Sequence, residues 1–391
     1  LRTADAPHQA ISKVVGLAVF SSDAMSSSAY ATQEMLVILA LASTQAFGYA
    51  IPLSIAIVAL LAIVTLSYQQ TIHAYPRGGG SYIVSRDNLG ELPALIAGAA
   101  LLTDYILTVA VSVSSGVAQV TSAIPALFPL RVEIAVVMVF LIMLVNMRGL
   151  KESGAIFAVP TYFFIFTMLI TLAAGMFRYL TGGLGMVVDP PELEMIHGAQ
   201  AMSALLILRA FASGTSALTG VEAISDGILA FREPRSRNAG ITLMWMSGIL
   251  ATLLLGITFL TVQIGSVPSE FETVISQLAR TIYGGRNILY SLMIVATSLI
   301  LFMAANTAFA DFPRLAAFMG QDGFLPRQFA YRGSRLVFSR GILALAIVAS
   351  VLIVIFDASV TALIPLYAIG VFLSFTLSQS GMAVRWRKIG R

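Results

Sequence analysis

The chain has 391 residues, of which 58% are hydrophobic and 11% charged, with a formal net charge of +4 and no cysteine. A soluble domain carries roughly 25% charged residues, so this composition is that of an integral membrane protein. The absence of cysteine excludes disulfides, thiolate metal sites and cysteine nucleophiles.

Apolar runs close to the roughly 20 residues that a helix needs to cross hydrocarbon recur along the whole length, with no strand-type alternation, so the expected fold class is all-α. They predict ten spans, at residues 13–40, 50–73, 93–127, 131–147, 155–180, 201–232, 240–265, 276–309, 340–356 and 359–383. The lead from Leu1 is short and polar, so no cleavable signal peptide is expected, and both ends read as trimmed. With the N-terminus in the cytoplasm, the inner segments hold 18 of the 23 Lys and Arg, among them Arg2, Arg77, Lys151, Arg332, Arg335, Arg391 and the Arg385 to Lys388 cluster. Arg131, Arg178, Arg280 and Arg286 remain outside, and Arg209 falls within a span. This bias predicts that both termini are cytoplasmic, and it accounts for the basic balance without nucleic acid. Anionic lipid at the same arginines is compatible with it.

Most spans are uniformly apolar. Span 1 is not: "FSSDAMSSSAY" places Asp23, Ser26, Ser27, Ser28 and Tyr30 in the membrane, with Glu34 further on. Span 3 carries Asp104, Tyr105, Thr108, Ser112 and Ser114, and span 6 carries Thr219, Glu222 and Asp226 in "ASGTSALTGVEAISDG". Ionisable residues inside a membrane are costly and mark functional paths. Spans 1 and 6 each open a set of five, and "FSSD" begins the polar stretch of one as "FASG" begins that of the other. Five is odd, so two such halves, residues 1–180 and 201–391, cross in opposite senses. This predicts an inverted repeat with broken helices 1 and 6, whose unwound carbonyls and half-helix ends face a midplane site.

Spacing aligns the polar groups. Asp104, Thr108 and Ser112 fall at i, i+4 and i+8, and Thr219, Glu222 and Asp226 at i, i+3 and i+7; Asp23, Ser27, Tyr30 and Glu34 follow the same rule. Span 10, "LIPLYAIGVFLSFTLSQSG", adds Tyr367. Carboxylates, hydroxyls and carbonyls without histidine, lysine or thiol suit a hard cation.

The combination of "SSDAMSSSAY", "YPRGGGSY", "LTDYILTVAVSVSSG", "SALTGVEAISDG" and "IPLYAIGVFLSFTLSQSGM" resembles the bacterial KimA-type potassium importers. These form part of the KUP potassium transporter family within the amino acid, polyamine and organocation superfamily. "YPRGGGSY" indicates only the superfamily fold; the other motifs are more specific. The resemblance implies a LeuT-like scaffold in a bacterial plasma membrane and potassium uptake coupled to protons. It places the potassium ligands on Asp23, Tyr30, Asp104, Tyr105, Thr108, Ser112, Thr219 and Tyr367, and proton coupling on Glu222. No cofactor is implied beyond the transported K+ and H+. Those relatives continue into two more helices and a cytoplasmic domain through which they dimerise; that region is not in this sequence.

Each residue also has a plainer use. Asp23 could cap a half-helix, and Asp104 could be a buried partner for Arg209. The three tyrosines could be packing aromatics, while Thr108, Ser112 and Thr219 could bond to carbonyls or link helices. Arg209, Glu34 and Asp226 read as gate or ion-pair groups, and His73 and Asp311 as interfacial. A second function, an amino acid or amine permease on the same fold, meets an obstacle at Asp23. Such permeases hold the substrate carboxylate at the first helix break, where this chain carries like charge. An enzyme is a poor fit, since the sequence offers neither HExxH nor a serine and histidine pair within a span.

Overall fold

The computed structural model describes residues 10–76, 78, 80–148, 154–192, 201–331 and 338–390. Arg2, Arg77, Lys151, Arg332, Arg335 and Arg391 from the charge count lie outside the described residues, as does part of "YPRGGGSY".

Among the described residues the chain is helical, and its only β pairing is an isolated bridge between Ile11 and Phe231. Helices are α1 (Lys13–Phe20), α2 (Ser22–Ala40), α3 (Ala50–Ala74), α4 (Ser81–Leu89), α5 (Glu91–Ala123), α6 (Arg131–Met147) and α7 (Gly154–Leu180) in the first half. The second half contributes α8 (Ala204–Gly214), α9 (Ala223–Asp226), α10 (Arg235–Ile264), α11 (Val274–Tyr283), α12 (Ile288–Gln321), α13 (Ser339–Ile355) and α14 (Val360–Ile389). Among the described residues eight segments are long and apolar enough to cross a membrane. The broken pair α1/α2 and the shorter apolar α13 bring the expected ten to completion.

Span 8 departs from expectation. The apolar run at 276–309 is two helices, because Gly284 and Gly285 adopt φ of 72° and 134° and end α11. Asn287 then caps the next helix, accepting from the backbone N–H groups of Leu289 and Tyr290 at 3.1 Å each. The span itself is α12, which reaches Gln321.

Lipid tails are as apolar as leucine, so helix association rests on close packing and polar links and not on transfer from water. The links are present between Thr32 and Thr258 at 2.9 Å, Thr65 and Ser247 at 2.7 Å, and Asn146 and Asn306 at 2.7 Å. The packing has a pattern. α2 lies against α8, α3 against α10, α5 against α12 and α6 against α13, so spans 1 to 4 each pack on the span five further along. The α5–α14 contact is likewise matched by α7–α12.

The short α4 lies between spans and fastens them. Tyr82 and Arg86 both donate to Asp322, just past α12, at 2.7 Å. Burial, together with the bond to the Asp322 carboxylate, pushes the Tyr82 phenol up to about 12. The Arg385 guanidinium of α14 stacks 4.8 Å from the Tyr75 ring.

Candidate cation-binding site

Span 6 is interrupted over a long stretch. After α8 a 3-10 turn covers Thr215–Leu218, Thr219 is extended (φ −64°, ψ 147°) and helix resumes only for the four residues of α9. Gly220 has φ 76°, which only glycine adopts without strain. The carbonyls of Thr219 and Val221, which no helix ladder claims here, accept no hydrogen bond among the described residues.

Span 1 is broken at Ser21, as expected, but it frees less backbone than its composition suggests. Only Ser21 leaves the helix, and the ladder runs through it: its N–H donates to Leu17 at 3.0 Å and its carbonyl accepts from Met25 at 2.8 Å. The serines beyond it turn back on their own helix, Ser26 to the carbonyl of Asp23 at 2.7 Å, Ser27 to Ala24 at 2.6 Å and Ser28 to Met25 at 2.7 Å. They bond to carbonyls instead of freeing them. Ser27 also donates across to the Ala217 carbonyl at 2.9 Å and so ties the two interrupted spans together.

The two breaks meet at Gly220. A Cβ there would lie 2.7 Å from Asp23 Oδ2 and 2.8 Å from the Ala24 nitrogen, so the missing side chain is what admits the carboxylate. A second close approach supports Asp104. Gly370 of α14 lies on the α5 backbone, where a Cβ would stand 3.3 Å from the Ala100 carbonyl and 3.5 Å from the Asp104 nitrogen. One turn earlier, Tyr367 accepts from Thr108 Oγ1 at 3.2 Å. The Tyr30 hydroxyl sits beside those of Thr219 and Tyr367, although no hydrogen bond of good geometry closes there. Asp23, Asp104 and Glu222 lie within electrostatic reach of one another.

Asp23, Tyr30, Asp104, Thr108, Thr219, Tyr367 and Glu222 are thus brought to one region, from α2, α5, α14 and the break in span 6. Ser112, fully buried, continues the α5 face one turn beyond Thr108. Half-buried Tyr105 is within electrostatic reach of Asp104, Glu222, Asp226 and Asp311. Several oxygens of the region have unmet hydrogen-bonding capacity. Asp23 Oδ1, Tyr30 Oη, Asp104 Oδ1, Ser112 Oγ and Glu222 Oε2 are all buried without a partner. Orphaned polar atoms are rare and costly in a protein interior, most of all charged ones. Among the described residues no group of three or more His, Asp or Glu is close enough to cage a metal ion.

Three further residues stand apart. Glu34 is buried on α2 and accepts from Thr361 at 3.1 Å. Asp226 lies under the loop after α3, its Oδ1 3.2 Å from where a Gly80 Cβ would stand. Arg209 is exposed and forms no ion pair among the described residues, so the pairing with Asp104 considered from sequence is not made. Arg209 and Glu34 instead line a cavity of about 580 Å³ between α2, α8 and α14. Asp311, expected at the interface, is within electrostatic reach of Asp23 and Asp226. It also pairs with Arg314 at 3.5 Å.

Sequence reasoning missed Gly220, Gly370 and Tyr68. Fully buried Tyr68 of α3 has an unpartnered hydroxyl and lies within reach of Glu222 and Asp226. Gly220 was legible as the glycine between Thr219 and Glu222; the other two carry no local signal.

The potassium transporter KimA of Bacillus subtilis (strain 168) is 49% identical to this chain over 390 residues, which cover 99% of this chain and 63% of that protein. The chain therefore spans less than two thirds of that relative's length. A solved structure of the Eremococcus coleocola manganese transporter, in complex with an aromatic bis-isothiourea substituted compound, aligns with a TM-score of 0.46. It is 16% identical and covers 92% of this chain and 76% of the other. A mutant of the same transporter gives 0.43 at 17% identity, covering 95% and 76%. The family model described as amino acid permease matches residues 13–389, and the chain belongs to that family.

Proposed function

We propose that the protein is a secondary transporter that imports potassium together with protons by alternating access. The observation that carries this reading is the convergence of buried, unpartnered oxygens on Asp23, Tyr30, Asp104, Ser112 and Glu222, with no basic side chain among the described residues paired to any of them. A dehydrated monovalent cation needs many weakly charged oxygens in place of its water. Asp23 and Asp104 supply the charge; the hydroxyls of Tyr30, Thr108, Thr219 and Tyr367, the neighbouring Tyr105 and Ser112, and the Thr219 and Val221 carbonyls supply the remainder. Glu222, at the end of the break, carries the proton. The similarity to KimA, named a potassium transporter, supports the same substrate.

Residues 1–180 and 201–391 act as two inverted halves, which the packing of each span on the one five further along supports. Both termini face the cytoplasm of a bacterial plasma membrane, K+ and H+ are the only ions required, and dimerisation resides outside this sequence. The family leaves an amino acid or amine permease as a second reading. Asp23 admits ammonium groups to the first break and repels carboxylates, which restricts that reading to cationic substrates.

Rubidium uptake into proteoliposomes, with and without an inward proton gradient, tests the function. Gradient-stimulated uptake in the wild type, lost in Asp23→Asn and in Glu222→Gln, is expected. Uptake of an amine or amino acid by folded protein that does not move rubidium or potassium would overturn the substrate and leave the fold intact.

A further inference from the structure

The cavity of about 580 Å³ between α2, α8 and α14 contains none of the oxygens assigned above. Its walls are apolar, with Ile38 and Leu41 on one side and Ile364 and Phe372 on the other, and two ionisable groups, Glu34 and Arg209, enter it. Glu34 is 2% exposed and already accepts from Thr361. Arg209 has neither a hydrogen bond nor an ion pair among the described residues. It is the sixth residue of α8, which Ser203 caps at its start, so it lies about 8 Å below the helix end at a 1.5 Å rise per residue. Leu205 and Leu208, beside Arg209 in sequence, and Ile369 of the cavity lining are 77%, 62% and 66% exposed.

A guanidinium offers five donors, cannot give up its proton, and fits a phosphate with two parallel hydrogen bonds. In low dielectric it needs an anion, and the one carboxyl group of this cavity, Glu34, is engaged by Thr361 and forms no ion pair with it among the described residues. A freely soluble anion would gain nothing from the apolar walls. We propose that this groove is a phospholipid site, with the phosphate diester on Arg209 and an acyl chain along Ile38, Leu41, Ile364 and Phe372. The three helices it joins carry Asp23 and Tyr30 on α2, the approach to Thr219 on α8, and Tyr367 on α14. A lipid seated there wedges the helices that hold the cation ligands.

Native mass spectrometry of the whole chain, delipidated in detergent and titrated with phosphatidylglycerol, tests the site. The wild type is expected to retain one lipid more tightly than the rest, and Arg209→Gln to weaken that first binding by about tenfold, the loss of a charge-assisted contact. Arg209→Lys should fall between, and millimolar inorganic phosphate should leave the adduct in place. A phosphatidylglycerol with a diazirine in its acyl chain supplies a readout on the unmodified protein, with cross-links expected on Ile38, Leu41, Ile364 or Phe372. Equal retention by Arg209→Gln, displacement by inorganic phosphate, or cross-links spread evenly over the lipid-facing surface would each overturn the assignment.

Discussion

The two interrupted spans solve the same problem in opposite ways. Span 1 is rich in serine yet leaves the helix at one residue, and its serines donate to carbonyls of their own helix. Span 6 stays out of regular helix for several residues and leaves backbone oxygens unclaimed at Thr219 and Val221. A polar stretch in a membrane helix therefore does not by itself mean unwinding. Short hydroxylated side chains can heal a kink, whereas a glycine with positive φ keeps a break open. The division of labour follows: span 1 presents side chains alone, Asp23 and Tyr30, and span 6 adds backbone carbonyls to the side chains of Thr219 and Glu222.

If Gly220 is what holds the break open against Asp23, the largest effect falls there. Gly220→Ala puts a Cβ 2.7 Å from Asp23 Oδ2 at a φ of 76°, so either the carboxylate or the break must move. Transport is expected to be lost, with about 1–3 kcal/mol of destabilisation, read as a lower midpoint in thermal unfolding. Normal transport by the Gly220→Ala variant would mean that the two breaks do not meet as described. Next is Tyr367→Phe, which removes the acceptor of Thr108 and a buried hydroxyl beside Tyr30. The rubidium concentration for half-maximal uptake should rise several-fold, with about 1 kcal/mol lost in stability.

The serines sharpen the contrast further. Ser27→Ala breaks the link to Ala217 and is expected to cost about 1 kcal/mol with a moderate loss of uptake. Ser26→Ala and Ser28→Ala only release carbonyls of their own helix, so uptake and melting temperature should stay close to wild type, within about 0.5 kcal/mol. Comparable damage from all three serines would show that span 1 supplies backbone ligands after all.

Much of this is readable from the chain because hydrocarbon imposes few solutions. Span 4 is expected at residues 131–147 and α6 occupies those residues, since a long apolar run has no alternative to helix. The i, i+4, i+8 spacing of Asp104, Thr108 and Ser112 marks one helix face without any tertiary information. What fails has competing signals. The run at 276–309 is as apolar as a span, and only the Gly284–Gly285 turn divides it. The expected unwinding of span 1 rests on composition, and the outcome depends on which acceptor each serine chooses. Partners across the bundle, such as Gly370 on the Asp104 backbone or Arg209 away from Asp104, depend on helix rotation, which hydropathy does not encode.

Equilibrium binding of rubidium to purified protein tests the central claim most directly, because it isolates the oxygen cluster from the transport cycle. Wild type should bind rubidium, with potassium as a competitor, and Asp23→Asn and Asp104→Asn should each lose that binding while keeping the wild-type elution profile in size-exclusion chromatography. Undiminished binding in both variants would contradict a cation site built on these two carboxylates.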